Sequence, residues 1–159
     1  MSSLAGKVAI ITGASSGIGA ATAVQFAKLG AVVAITGRNV DNLKKTAEQC
    51  REQGGAEPLL IPADLVQEED CTKIIQDTVN KYGKLDVLVN NAGVLEMGSI
   101  ENTSLEQYDR VMSVNMRSVY HLTMLAVPHL ETTKGNIVNV SSVNGIRSFP
   151  GKDISKYQE

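Results

Sequence analysis

The stretch VAIITGASSGIGAATAVQFAKLG sets three glycines, Gly13, Gly17 and Gly19, between an apolar run and a segment of small residues. Glycines at that spacing suit one task, the holding of a diphosphate. Gly13 permits a tight turn out of a strand, and Gly17 lets backbone approach an anion with no Cβ in the way. Gly19, with Ala20, Ala21 and Ala23, allows a helix to pack closely. Ser15, Ser16 and Ile18 complete the loop, and the amino end of the following helix offers unpaired N–H groups and positive dipole. The spacing is G-x-x-x-G-x-G rather than the commoner G-x-G-x-x-G. A glycine-rich turn without a ligand is the bland alternative, and the strand before and helix after argue against it.

Further residues would meet the rest of such a ligand. In ITGRN, Gly37 cannot supply the carboxylate that binds an NAD ribose 2'-hydroxyl, whereas Arg38, with Asn39 beside it, can pair a 2'-phosphate through its forked donors. The alternative for Arg38 is a solvated loop cation. NADP(H) is therefore favoured as cofactor, with NAD(H) possible. Asp64 and Leu65 in IPADL end one apolar run; the Asp64 carboxylate can accept from an adenine amino group or cap the next helix. Asn91, Ala92 and Gly93 end another. There the Asn91 amide can brace neighbouring strands, and Gly93 leaves room for a cofactor.

These residues need a scaffold that brings them to one edge. Short β-branched runs alternate with longer amphipathic segments, the rhythm of parallel βαβ units, so the expected fold is α/β with a doubly wound parallel sheet of about five strands. VAIIT, VVAIT, LDVLVN and NIVNVS are almost continuously apolar, as in strands covered on both faces, while LLIPA carries Pro62 at its exit. Cys71, Ile74, Ile75, Thr78, Val79 and Tyr82 share one helical face before Gly83 stops the helix. Asp41 or Asn39 can cap an earlier helix, on which Leu43, Ala47 and Cys50 share a face. A longer helix is expected from Ser104 to Leu130, with Tyr108, Val111, Met112, Val119, Leu122 and Ala126 as its apolar side and Pro128 loosening its last turn.

At 159 residues, 43% of them hydrophobic, the chain holds one domain with a sizeable core. Its 15 basic and 17 acidic residues, a formal charge of -2, give no footprint for nucleic acid or an anionic membrane surface. The MSSLAGK start has no signal-peptide core and no run is long enough to span a bilayer, so a cytoplasmic protein is expected. Cys50 and Cys71 have no metal-ligand spacing and are expected as reduced packing residues.

In order, TGASSGIG, ADL, NNAG, the VN of SVNMRS, and NVSS resemble the short-chain dehydrogenase/reductase family. The resemblance runs from about Lys7 to Pro150 and is similar to 3-oxoacyl-carrier-protein reductase-like and carbonyl reductase-like members. It implies a Rossmann fold, a nicotinamide cofactor, and hydride exchange between the cofactor's C4 and a small-molecule carbonyl or alcohol. It also implies a homo-oligomer built through the long helix. By the same resemblance, Asn115 holds a water in the proton relay and Ser142 hydrogen-bonds the substrate oxygen. The residues fit those roles: an Asn on an apolar helical face needs its amide satisfied, and Ser142 follows an apolar strand at the ligand edge. A local helix distortion is the alternative for Asn115, and Ser141 competes with Ser142.

The resemblance fails at the acid. The family's tyrosine, with a lysine four residues later, should fall near positions 155 and 159, where Ser155 and Glu159 stand; Lys156 and Tyr157 are out of register. The expectation is a dinucleotide-binding domain over 1–150 and a divergent tail over 151–159, with the family's remaining strands and helices missing and NIVNVS left as a sheet edge. Such a chain would be weakly active or inactive alone. The alternative is a non-catalytic nucleotide-binding or interaction protein that associates with full-length family members.

Overall fold

Five apolar runs become strands, in which successive side chains point to opposite faces of the sheet. The computed structural model describes residues 3–146. Strands β1 (Val8–Thr12), β2 (Val32–Gly37), β3 (Leu59–Pro62), β4 (Val87–Asn90) and β5 (Asn136–Asn139) form one parallel sheet in the order β3-β2-β1-β4-β5. Ile10 pairs with Ala34 on one side and Leu88 on the other, and Leu88 pairs with Ile137. Pro62 is tolerated because β3 is an edge strand.

Helices α1 (Gly17–Lys28) and α2 (Val40–Glu52) cover one face, where Ala9, Ile11, Val33, Ile35 and Val89 meet Ala23, Ala27, Leu43 and Cys50. Helices α3 (Glu68–Tyr82) and α5 (Ser118–Thr133) cover the other, where Ile10, Ala34, Ile61 and Leu88 meet Cys71, Ile74, Ile75, Leu122, Ala126 and Leu130. Cys71, Ile74, Ile75 and Thr78 are buried as their spacing requires, and Gly83 ends α3 in the left-handed conformation at φ 74°. Both cysteines are free and buried. The chain winds outward through β3, then α3 carries it back across to β4 on the far side of β1. That reversal makes the junction of β1 and β4 a topological switch point, where a crevice opens at the carboxyl ends of the strands.

The expected single helix from Ser104 to Leu130 is instead three pieces. Helix α4 (Leu105–Met112) starts with a capping box between Ser104 and Gln107, a π turn spans Ser113–Arg117, and α5 continues to Thr133. The π turn rotates the buried face. Val111 is buried before it, and Ser118, Leu122, Ala126 and Leu130 are buried after it, whereas Tyr108 is exposed and Val119 only half-buried. Pro128 lies on the exposed side of α5, and the helix runs on past it to Thr133, three residues beyond the expected end at Leu130. Strand β5 departs from the expectation of cover on both faces. Ile137 packs under α5, but Val138 and Val140 are each 42% exposed among the described residues. A one-turn helix, α6 (Val143–Ile146), follows. Among the described residues no helix is long and apolar enough to cross a membrane.

Candidate functional site

The glycine loop leaves β1 through Gly13 at φ 65°, and a Cβ there would stand 2.8 Å from the Ala92 Cα. Gly17, at φ 55°, opens α1 with nothing within 4 Å of where its Cβ would point. No side chain caps α1 and no acid occupies its first turn, so its amino end faces the crevice without a competing anion. Gly19 lies beneath the loop, where an added Cβ would be 2.3 Å from the Gly13 carbonyl oxygen and 2.5 Å from the Asn91 amide nitrogen.

Two threonines to which motif and spacing assign no role, Thr12 and Thr46, hold this loop. The Thr12 hydroxyl accepts from the backbone N–H of Asn91 (2.9 Å) and Ala92 (3.0 Å) and donates to the Val89 carbonyl (3.3 Å). The Asn91 amide returns the contact by donating to the Thr12 carbonyl at 2.9 Å and the Gly13 carbonyl at 3.4 Å, which is the strand bracing its position suggests. From α2, the Thr46 hydroxyl donates to the Ala14 carbonyl at 2.9 Å. A hydroxyl at the buried end of a strand or on the apolar face of a helix must find a partner, and that requirement was the available signal for both.

A first cleft of about 510 Å³ runs along this edge. The glycine loop contributes Gly13, Ser15, Ser16, Gly17 and Ile18; β2 contributes Thr36, Gly37 and Arg38. The loops after β3 and β4 bring Ala63, Asp64 and Leu65, and Asn91, Ala92, Gly93 and Val94. Arg38 is exposed and forms no hydrogen bond or ion pair with any described residue. Asn39 falls outside the cleft wall: its side chain caps α2 by accepting from the Asn42 N–H at 2.9 Å. Asp64 lines the cleft and caps no helix, since the N-cap of α3 is Gln67. Its carboxylate accepts from the Val66 N–H at 3.3 Å, and its own N–H donates to Asp70 at 2.7 Å.

A second cleft, of about 480 Å³, shares Ile18, Asn91, Ala92, Gly93 and Val94 with the first and so continues it. It brings together Asn115, Ser141 and Ser142. Asn115 sits in the π turn and docks on the backbone of Val94 at two points, accepting from its N–H at 2.8 Å and donating to its carbonyl at 2.9 Å. The helix distortion and the satisfied amide are thus two aspects of one feature. The Ser142 hydroxyl is exposed and accepts from the Asn144 N–H at 3.2 Å. At the floor, the Asn90 amide donates to Asn139 at 2.9 Å, tying the ends of β4 and β5.

Both cysteines lie outside the crevice lining. Burial, then Glu57, pushes the Cys50 thiol up to about 11; burial, then Asp70, Glu68 and Asp64, does the same to Cys71, so neither is a thiolate nucleophile. Among the described residues no group of three or more His, Cys, Asp or Glu could hold a metal ion. Positions 155–159, where the family's tyrosine and lysine are expected, lie outside the described residues.

The fold and crevice are those of a Rossmann-type α/β domain. The chain belongs to the short-chain dehydrogenase family, whose model matches residues 7–157; this is a family of oxidoreductases that bind nicotinamide cofactors and act on small molecules. It is 42% identical over 142 residues to an 11-beta-hydroxysteroid dehydrogenase-like protein of Arabidopsis thaliana, covering 89% of this chain and 46% of that one. It is 40% identical over 153 residues to the 3-oxoacyl-acyl-carrier-protein reductase FabG of Thermotoga maritima, covering 94% and 61%. Among solved structures it resembles the apo glucose dehydrogenase of Caenorhabditis elegans, with 47% identity, a TM-score of 0.82 and coverage of 89% and 57%. A metagenomic short-chain oxidoreductase in complex with NADP superposes with a TM-score of 0.87 at 35% identity, covering 93% and 67%. An NAD+-bound xylitol dehydrogenase gives 0.87 at 30% identity, covering 94% and 58%. The chain spans about half the length of the curated relatives it matches.

Proposed function

We propose that this chain is the cofactor-binding part of an NADP(H)-dependent oxidoreductase that exchanges hydride between the nicotinamide and a small carbonyl or alcohol. The observation that carries this reading is the single crevice in which an open, uncapped helix start, an Arg38 with no partner among the described residues and the Asn115–Ser142 cleft follow one another. The residues fit a dinucleotide. Gly17 leaves open space at the helix start, so bare amides can approach a diphosphate. Arg38 can pair a 2'-phosphate, and Gly37 offers no carboxylate to oppose it. Asp64 and Leu65 would border the adenine, and Asn91, Ala92 and Gly93 the inner part of the nucleotide. When bound, the nicotinamide supplies or accepts the hydride. Ser142 would hydrogen-bond the substrate oxygen, with Ser141 as its competitor, and Asn115 would serve the relay water. With Ser155 and Glu159 at the positions where the family's tyrosine and lysine are expected, slow or absent turnover by this chain belongs to the reading. The names of its relatives range from steroids to acyl thioesters and polyols, so family membership leaves the substrate class open.

Calorimetric titration with NADPH and NADH tests the reading. NADPH should bind more tightly, and Arg38→Ala should weaken NADPH roughly 10-fold or more while leaving NADH nearly unchanged, the worth of a charge-assisted hydrogen bond. Folded protein that ignores both nucleotides would refute it. NADPH oxidation over ketones and 3-oxoacyl thioesters at an ordinary enzyme's rate, about 1 per second or faster, would refute the inactivity.

A second reading, association with full-length relatives, is favoured by the stripe of Tyr120, Met124 and Val127 along α5, all exposed and at helical spacing. Co-purification with such a relative that Tyr120→Glu abolishes would support it, and a monodisperse monomer would count against it.

A further inference from the structure

The second cleft differs chemically from the first. None of the described residues lining it is ionisable. Ile18, Leu95 and Met116 all line it, yet they are 67%, 58% and 43% exposed. One exposed apolar side chain needs no explanation, but three large ones around a single cavity make a surface with something to bury. Most polar groups of its floor are engaged with the protein: Asn91 with the Thr12 and Gly13 carbonyls, Asn115 with Val94, and the Asn90 amide nitrogen with Asn139, while the buried Asn90 Oδ1, an acceptor that cannot serve a carbonyl oxygen, has no partner among the described residues. Ser142 is different. Its oxygen accepts from Asn144, and its hydroxyl hydrogen has no acceptor among the described residues.

We infer that this cleft takes a neutral, apolar-bodied ketone or its secondary alcohol, with the one oxygen at Ser142 and the hydrocarbon against Leu95, Met116 and Ile18. The inference rests on the proposed function for the direction in which that oxygen points, and it names the substrate class that the family leaves open. A polyol would press hydroxyls against three hydrocarbon side chains and leave them unpaired. A carboxylate or phosphate would be desolvated with no cation among the described residues of the wall. A hydrocarbon ring or chain loses nothing polar there and removes apolar surface of both partners from water.

The test uses the whole chain, with and without saturating NADPH, and three probes followed by ligand-observed NMR titration: 2-decalone, xylitol and cyclohexanecarboxylate. Decalone should bind at least about 10-fold more tightly than either of the others. The double variant Leu95→Ser, Met116→Ser should weaken decalone by about 10-fold, because each change removes exposed hydrocarbon from the wall. It should leave NADPH affinity unchanged, since neither residue lines the first cleft. Both side chains are exposed, so the fold should survive, and a thermal melt checks that it does. Equal or tighter binding of xylitol or the carboxylate overturns the inference, as does decalone affinity that ignores the double variant. If the double variant instead converts a self-associated protein to monomer in sedimentation while decalone binding is unmoved, the apolar rim is a contact between copies, and the inference is again overturned. Loss of NADPH binding alone would sink the cofactor reading instead, and the ranking of probes on the free protein would still decide this one.

Discussion

At the scale of residues, the crevice depends on close approaches that tolerate no added atom. Gly19 is the tightest, wedged between the Gly13 carbonyl and the Asn91 amide, both of which belong to the cradle itself. Gly19→Ala would force these groups apart at a cost of about 1–3 kcal/mol, the usual penalty for overpacking. Thermal melting should show a lower midpoint, and calorimetry should show NADPH binding weakened at least about 10-fold. A variant that keeps both wild-type values would mean that the loop yields more easily than its contacts imply. Thr12 has the same importance for a different reason: one hydroxyl satisfies two N–H groups and a carbonyl of the β4 strand end, so β1 and the Asn91–Gly93 loop move together.

At the scale of elements, the sheet is laced at the amino edge as well as at the ligand edge. Asp86, buried just before β4, accepts from the Val8 N–H at 2.9 Å and sits 2.9 Å from the Lys7 ammonium and 3.0 Å from that of Lys84. Its own N–H donates to Val8, and its carbonyl accepts from Asn136, so β1, β4 and β5 meet on one residue. Burial alone would raise its carboxyl. The Val8 N–H and the two ammonium groups outweigh burial and hold it below the usual carboxylate range. With the folded value below the unfolded one of about 3.9, the ionised carboxylate favours the folded state above that pH, and the contribution is lost as pH falls through the folded value. Asp86→Asn should therefore lower the urea midpoint at pH 7, and its gap from wild type should narrow as pH falls below about 3.9. A gap that does not change with pH would show that the charge contributes nothing.

At the scale of the whole molecule, two helix layers share one sheet, and each contains a single buried thiol: Cys50 under α1 and α2, Cys71 under α3 and α5. Because burial pushes both up to about 11, a disulfide reagent at pH 8 should react with the native protein far more slowly than with the urea-unfolded chain. Mass spectrometry after pulse labelling across a urea series should show both thiols becoming reactive in the same transition. Rapid labelling of both in native buffer would mean that the layers are open, and early labelling of one alone would mean that its layer opens independently.

The sequence by itself determined what is local. The alternation of apolar runs with amphipathic segments dictated a doubly wound sheet, the small residues of α1 dictated its close seat, and the glycine spacing marked the strand end at the crevice. Those signals repeat over a few residues and need no distant partner. The tertiary structure alone decided what depends on partners far along the chain. Thr12 is paired with residues 77 to 80 positions away, a relation that no periodicity encodes. Docking of Asn115 on Val94 accompanies a π turn that breaks the expected long helix and rotates its buried face, a choice invisible in a run that reads as continuous helix. Asn39 and Asp64 carry side chains equally able to serve a cap, a loop or a ligand. Which use each meets was decided by where α2 and α3 begin once they pack against the sheet.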